Sequence, residues 1–315
     1  MSEFITKIRT DQGDKQIDYN ALANLPTTDT TLSVSGQAAD AKAVSDALDD
    51  MSVNFSDALD GMSAKFSNPN LLINSDFRNP INQRGQTTLT VDDNQWTKVY
   101  FIDRWYAQHG ATVEVLDGCV KASASATTTS GYFCQVFEHA LPNETYTATI
   151  NVKSVSGTVN VYLKNGDNPP GIHLVEGINV ITATLPLKSI EIQVLPGASI
   201  ELYWVKLEQG SIATPFISRL YEEELLICRR YYRKYWTSMV FPQFYENQYY
   251  GFYFDTPMRS DPQVKTFSIL SVNNNSSVGA SVEVYAQGVY KFYTISGYTS
   301  NAIIVPMLEL DAEIY

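Results

Sequence analysis

The stretch Tyr146-Thr-Ala-Thr-Ile-Asn-Val152 alternates polar and apolar residues, and after a turn at Ser156-Gly157 the alternation resumes in Thr158-Val-Asn-Val-Tyr-Leu163. A period of two is typical of a β-strand that buries one of its faces. Because short strands follow one another here without helices between them, residues 70–217 are predicted to form a β-sandwich. The other strand patterns, two of which flank an Asp117-Gly118 hairpin signal, are residues 112–115, 119–122, 179–185, 189–194 and 199–205.

One helix is predicted after the sandwich, as a link over residues 218–236. Ser218 can cap its N-terminus, acidic residues 222–224 occupy its first turns, and basic residues between positions 229 and 234 occupy its last turns. This order of charges suits the helix macrodipole. Residues 237–315 return to strand patterns and are long enough for a small second β-domain. The patterns lie at residues 249–254, 281–285 and 289–295.

An eleven-residue repeat precedes the sandwich: Ser45-Asp-Ala-Leu-Asp-Asp-Met-Ser-Val-Asn-Phe55 recurs as Ser56-Asp-Ala-Leu-Asp-Gly-Met-Ser-Ala-Lys-Phe66. Its large apolar residues follow the spacing of a helical stripe over residues 37–66. An isolated helix of this kind needs a partner to bury the stripe, so the repeat predicts a coiled coil over residues 36–67. Bulky Phe and Met favour three strands. The alternative is a helix packed on the chain's own globular part. The stripe consists of Val44, Leu48, Met51, Phe55, Leu59, Met62 and Phe66.

Composition narrows the classes of protein that fit. The chain has 315 residues, 44% of them hydrophobic and 18% charged, which excludes global disorder and favours two or three domains. A net charge of −12 argues against nucleic acid as a partner. No apolar run is long enough to insert into a membrane, and the first twenty residues contain no signal peptide, so synthesis in the cytoplasm is expected. Cys119, Cys134 and Cys228 form no CxxC motif and are predicted to be buried free thiols.

A series of short motifs runs along almost the whole chain. They are Asn-Leu-Leu-Ile-Asn-Ser-Asp-Phe at 70–77, Asn-Gln-Arg-Gly at 82–85, Asp-Arg-Trp at 103–105, Tyr-Trp-Val-Lys-Leu-Glu-Gln-Gly at 203–210, Ala-Thr-Pro-Phe at 213–216, Cys-Arg-Arg-Tyr-Tyr at 228–232 and Leu-Asp-Ala-Glu-Ile at 310–314. The ordered series resembles bacteriophage tail-fibre and receptor-binding proteins, which carry a jelly-roll module similar to CenC-type carbohydrate-binding domains.

The resemblance implies a set of partners and a location. It implies a homotrimer, attachment to a tail or baseplate protein through residues 1–35, and binding of host cell-surface glycan by the β-domains, the last of which is a receptor-binding domain over 237–315. It also implies a place in the virion, because a virion protein released by lysis needs no signal peptide. Three weak sites on one axis would gain affinity by effective concentration.

Exposed aromatic side chains are the candidates for glycan contact, because their faces stack on the apolar face of a sugar ring. Trp96 and Tyr100 lie in or beside a polar stretch of the sandwich, whereas Trp105 is predicted to be a core residue. A second cluster mixes aromatic and polar side chains, which suits recognition or, equally, packing between protomers. Its candidate contacts are Tyr245, Asn247, Tyr249 and Tyr250.

No cofactor is required by any motif, but the resemblance implies one structural metal site. Related sugar-binding modules hold calcium at strand ends that correspond to Asn70, Asn74, Asp76 and Glu208. Oxygen ligands suit calcium, and the alternative is that these residues are ordinary turn residues.

Catalysis finds no support in the sequence. His109, His139 and His173 lie outside any metalloprotease or nucleophile-elbow motif. The sequence therefore predicts a non-enzymatic binding protein. The alternatives are a purely structural baseplate or tail component and a glycan depolymerase that uses two carboxylates.

Overall fold

The computed structural model describes residues 7–10, 13–16, 41–63, 66–166, 169–236, 239–241, 250–270, 279–295 and 302–315. The chain divides into two compact units, Met1–Lys65 and Phe66–Tyr315.

The first unit contains a hairpin and a helix. Strands β1 (Lys7–Thr10) and β2 (Gly13–Gln16) pair antiparallel. Helix α1 covers Ala41–Ser63 and confirms the helical interpretation of the repeat. Phe66 is no longer helical, so the predicted stripe does not extend to it on one helix.

The stripe on α1 is exposed in the single chain. Val44, Leu48, Met51 and Phe55 are all solvent-accessible, and Phe55 exposes 65% of its surface. The side chains of Leu59 and Met62 lie outside the described residues. An apolar stripe of this kind, left uncovered, is unfavourable in water.

The second unit begins with a β-sandwich, as predicted. Its strands form one continuous antiparallel sheet in the order β10-β9-β11-β8-β12-β7-β6-β3, and β4 and β5 join it alongside β8. They are β3 (Thr88–Thr90), β4 (Val99–Tyr100), β5 (Tyr106–Gln108), β6 (Ala111–Leu116), β7 (Cys119–Ala124), β8 (Gly131–Ser156), β9 (Val159–Lys164), β10 (Ile172–His173), β11 (Gly177–Val194) and β12 (Ser199–Gln209).

Two long strands fold this sheet into two layers. β8 has 26 residues and β11 has 18, and the two pair along most of their length with register shifts around Leu187. On one side of the shifts, β8 pairs with β5 and β11 pairs with β9. On the other side, β8 pairs with β12. Both layers contribute to a single core, for example through Phe133 and Ile150.

Trp105 lies at the centre of that core, as the sequence predicted. It is fully buried, its ring stacks on Phe133 at a centroid distance of 4.9 Å, and Phe77 meets its edge at 5.0 Å. Its indole Nε1 donates to the carbonyl oxygen of Ile73 at 3.1 Å. The buried polar atom is therefore satisfied, which makes the position favourable for tryptophan.

The C-terminal part of the second unit is a further pair of sheets around a smaller core. Strand β19 is flanked by β13, β14 and β16, and β15, β18 and β17 form a separate three-stranded sheet. The strands are β13 (Tyr232–Trp236), β14 (Met239–Phe241), β15 (Tyr250–Tyr253), β16 (Gln263–Leu270), β17 (Gly279–Tyr285), β18 (Gly288–Ile295) and β19 (Ala302–Asp311).

The linking helix is shorter than predicted. Helix α2 covers Tyr221–Cys228, and residues 232–236 are strand β13, paired with β19, instead of the end of a helix. Ser218 does not cap α2; its hydroxyl donates to Asp76. The prediction for residues 229–236 is wrong because pairing with β19, far away in sequence, outweighs the local preference for helix.

Buried charges join the sandwich to residues 311–315. Arg84 Nη1 lies 3.0 Å from Asp103 Oδ1, and its Nη2 lies 3.3 Å from Glu313 Oε1. Arg104 Nη1 lies 2.6 Å from Glu313 Oε2. Burial raises the pKa of Asp103 to about 7, against the lowering effect of Arg84. The Asp-Arg-Trp motif therefore supplies two charges that connect distant parts of the chain.

All three cysteines are buried and free, as predicted. Within the described part of the chain, neither helix is both long and apolar enough to cross a membrane.

Candidate functional site: two exposed aromatic surfaces

The first surface is a groove on the three-stranded sheet, called here the tyrosine groove. Tyr253 exposes 88% of its surface, Tyr290 71% and Tyr285 47%. The groove has a volume of about 720 Å³. The described residues that line it are Gly251, Phe252, Tyr253, Tyr285, Gln287, Gly288, Val289 and Tyr290.

Strand alternation places these tyrosines outside the core. Val282 and Val284 of β17 and Val289 of β18 pack on the smaller core, and Tyr285 and Tyr290 come next in each strand, on the opposite face. The rings of Tyr285 and Tyr290 meet edge to face at 5.8 Å. The sheet therefore has one buried face and one aromatic, solvent-exposed face.

Close backbone packing forms the floor of the groove. A Cβ atom on Gly251 would lie 2.8 Å from the carbonyl oxygen of Val289, and one on Gly288 would overlap the carbonyl oxygen of Phe252. Only glycine allows β15 and β18 to approach this closely. Strand pairing therefore fixes where the backbone places the three tyrosines.

The second surface surrounds Trp96, which exposes 61% of its surface. Its ring stacks on His109 at 4.0 Å and is tilted against Tyr132 at 6.2 Å. His109 and Gly110 both have positive φ, +53° and +73°. A Cβ on Gly110 would approach Asp93 Oδ1 to 2.9 Å, so this turn requires glycine.

A polar row continues from Trp96 across the outer face of the sandwich. Gln193 Nε2 donates to the hydroxyl of Tyr132 at 2.9 Å, and the hydroxyl of Tyr162 donates to Gln193 Oε1 at 2.8 Å. Lys164 and Glu191 form an ion pair at 2.7 Å beside them. The hydroxyls and the amide are thus already bonded to one another, whereas Trp96 is the most exposed ring of the row.

The other predicted contact residues lie elsewhere. Tyr100 is buried, and its hydroxyl donates to the carbonyl oxygen of Ile314 at 2.7 Å. Burial raises the pKa of Tyr100, and the side chain is not available to a ligand in the folded chain. Tyr245, Asn247 and Tyr249 lie outside the described residues, and Tyr250 begins β15 with a side chain that is also outside them.

The first two predicted calcium ligands, Asn70 and Asn74, accept hydrogen bonds from the backbone of the chain itself. Asn70 Oδ1 accepts from the backbone N–H groups of Leu72 and Leu207 at 3.1 and 3.0 Å. Asn74 Oδ1 accepts from the N–H of Ile81 at 2.7 Å.

The carboxylates of the two acidic candidates, Asp76 and Glu208, also bind groups of the chain itself. Asp76 binds Arg78 through both oxygens, and Glu208 accepts from Thr214 and pairs with Lys206 at 3.2 Å. Burial raises the pKa of Asp76, but the hydrogen bonds from Arg78 outweigh it and lower this pKa. Among the described residues, no group of three or more acidic, His or Cys side chains is arranged to hold a metal ion. The side-chain oxygens of the predicted set thus bind groups of the chain itself, and the calcium site stays a prediction.

The sequence contains a signal for part of the groove. Strand patterns were predicted at 281–285 and 289–295, and their valines identify the buried face. Reading the alternation one step further would have placed Tyr285 and Tyr290 on the exposed face. What no local pattern indicates is that β15 brings Tyr253 beside them.

No family model matches the chain, and no curated protein matches it. Among solved structures, a mutant of the family 29 carbohydrate-binding module CBM29-2 is 12% identical, with a TM-score of 0.27 over 43% of this chain and 100% of that one. Another CBM29-2 mutant, complexed with cellulohexaose, is 11% identical, with a TM-score of 0.26 over 41% of this chain and 97% of that one. Discoidin II of Dictyostelium discoideum is 13% identical, with a TM-score of 0.20 over 63% of this chain and 84% of that one. At these scores the function has to be judged from the chain's own side chains.

Proposed function

We propose that the chain is a non-enzymatic receptor-binding protein of a bacteriophage tail fibre or a related particle, which binds cell-surface glycan through its β-domains. The observation that carries the proposal is the tyrosine groove, where three exposed tyrosine rings lie around one cavity. Tyrosine combines a wide apolar face with a hydroxyl and loses little rotamer freedom on binding. The sequence resemblance supports the assignment to a virion, and residues 1–35 would attach the chain to the particle.

Binding of the full chain to an array of bacterial surface polysaccharides and their oligosaccharide fragments tests this function. We expect binding to a subset of the sugars without release of new reducing ends. Binding to none of them would favour the purely structural tail component. Release of reducing ends from a bound polysaccharide would favour the depolymerase.

The proposal includes a homotrimer built on α1. The apolar stripe of α1 needs a cover, and identical stripes from two further copies supply one with matching spacing. Trimerisation would also compensate for weak binding at each groove, since linked sites act at high effective concentration.

Replacing Phe55 with aspartate is expected to convert the trimer to monomer. Phe55 lies in the middle of the stripe, and an unpaired charge buried there would cost several kcal/mol at each of three helices. Sedimentation velocity at micromolar concentration measures the change. The matched control is Val53→Asp, because Val53 is an exposed residue of α1 outside the stripe. An assembly of unchanged mass in the Phe55 variant would show that the stripe is not the interface.

Replacing Trp96 with alanine is expected to weaken glycan binding ~2- to 10-fold, because one stacking ring contributes ~0.5–1.5 kcal/mol. The effect should be smaller than in the tyrosine groove, where several rings act together. Titration with an oligosaccharide found on the array measures it, and Ile172→Ala, at another exposed apolar position of the sandwich, is the control. Unchanged affinity would remove the Trp96 surface from the binding site.

A further inference from the structure

A second cavity adjoins the tyrosine groove and shares Tyr253 with it. This cavity, called here the arginine pocket, has a volume of about 320 Å³, and its lining includes Arg229, Arg233, Lys234 and Asp255. Asp255 pairs with both arginines, which leaves one positive charge in excess there, in a chain whose net charge is −12. The local excess of positive charge is the opposite of the chain's overall balance.

The side chain of Arg233 holds the walls of this pocket together through hydrogen bonds within the chain. Its side chain is buried, its Nε donates to the carbonyl oxygen of Arg229 at 2.7 Å, and its Nη1 donates to the hydroxyl of Tyr235 at 2.7 Å and to Asp255 Oδ1 at 2.5 Å. Its Nη2 donates to the carbonyl oxygen of Thr256. With these donors engaged, Arg233 holds other groups in place and has little left for a ligand.

Asp255 is shared between two arginines and stays ionised. Its Oδ2 accepts from Arg229 Nη1 at 2.8 Å, and its Oδ1 accepts from Arg233 and from the N–H of Thr256. Burial raises the pKa of Asp255, but the hydrogen bond from Arg233 outweighs it and lowers this pKa. One carboxylate thus balances only one of the two guanidinium charges.

Arg229 is the cation that a ligand can reach, whereas the amine of Lys234 is already paired outside the pocket. The side chain of Arg229 is 38% exposed, and among the described residues it forms an ion pair through Nη1 with Asp255. Lys234 Nζ lies 2.9 Å from Glu309, a residue that does not line the pocket. The remaining guanidinium hydrogens of Arg229 are arranged to bind a planar anion.

We infer that the glycan bound in the tyrosine groove is an acidic saccharide, whose ring lies against Tyr253 and whose carboxylate is bound by Arg229 in the arginine pocket. The inference rests on the proposed function, because it names the class of sugar for the same surface. A carboxylate fits better than a hydroxyl, since it can accept two parallel hydrogen bonds from one guanidinium and neutralise the excess charge.

Carboxyl reduction of the polysaccharide tests the inference. Surface polysaccharides that contain uronic acids are printed on the array in native form and after chemical reduction of the carboxylate to an alcohol. The full chain is expected to bind the native form ~10-fold more tightly or better, and less tightly as salt is raised. Equal binding of both forms, or binding to neutral polysaccharides alone, would overturn the inference and leave the proposed function standing. Binding to no sugar at all would overturn both.

A pair of arginine variants locates the contact. Arg229→Gln is expected to lose the preference for the native form, while its thermal unfolding stays near that of the wild type. Arg230→Gln is the matched control, because Arg230 is the next residue, is exposed and does not line the pocket. An Arg229 variant that keeps the preference would show that the carboxylate is not bound in this pocket.

Discussion

Tyr253→Ala combined with Tyr290→Ala is expected to weaken glycan binding by ~10- to 100-fold, because two stacking rings contribute ~0.5–1.5 kcal/mol each. Both side chains are mostly exposed, so their removal should leave the unfolding transition almost unchanged. Titration of the full chain with an oligosaccharide found on the array gives the affinity, and binding to whole bacterial cells gives the avidity. The loss of avidity should exceed the loss of affinity if three grooves act together.

Two controls separate stacking from other effects. Tyr253→Phe with Tyr290→Phe keeps both rings and should retain most of the binding. Tyr221→Ala removes an exposed tyrosine of α2, outside the groove, and should have no effect. Full binding by the double alanine variant would exclude the tyrosine groove as the site.

Glu313→Gln is expected to lower the free energy of unfolding by ~3–5 kcal/mol, because it leaves a buried guanidinium without its counter-charge. Arg104 and Glu313 are both buried, and their side chains meet at 2.6 Å. Burial lowers the pKa of Arg104, but the carboxylate of Glu313 outweighs it and raises this pKa in the wild type. The variant loses that carboxylate, and the guanidinium stays charged there because arginine is not deprotonated in proteins. The second nitrogen of Arg104 donates to Val136, and its guanidinium lies 3.8 Å from the ring centre of Tyr231.

Urea unfolding followed by circular dichroism measures this effect. Arg78→Gln breaks the more exposed ion pair with Asp76 and should cost at most ~1 kcal/mol. A double variant, Arg104→Met with Glu313→Gln, should recover part of the loss, since no buried charge remains unpaired. Similar losses in the Arg78 and Glu313 variants would show that the buried network does not hold residues 311–315 to the sandwich.

Local patterns predicted the elements that depend on local chemistry. The alternation in residues 146–163 and the hairpin signal at Asp117-Gly118 predicted strands correctly. Both patterns arise because each strand buries one face and leaves the other in water. The eleven-residue repeat predicted helix α1, because its spacing places the large apolar residues along one side of a helix.

The failures involve partners that are remote in sequence. Residues 232–236 form a strand because they pair with β19. Tyr100 is buried against the C-terminal residues, where its hydroxyl donates a hydrogen bond to the carbonyl oxygen of Ile314. Glu313 lies 209 positions from Arg104, so no pattern around the Asp-Arg-Trp motif could identify its partner. In the same way, the groove exists only because three strands bring Tyr253, Tyr285 and Tyr290 to one face.

The crystal structure of the full chain bound to an oligosaccharide selected on the array is the most direct measurement of where the sugar binds. We expect a sugar ring stacked on Tyr253, within contact of Tyr290, in each copy of the chain. A sugar bound at a different place, with the tyrosine groove empty, would contradict the account.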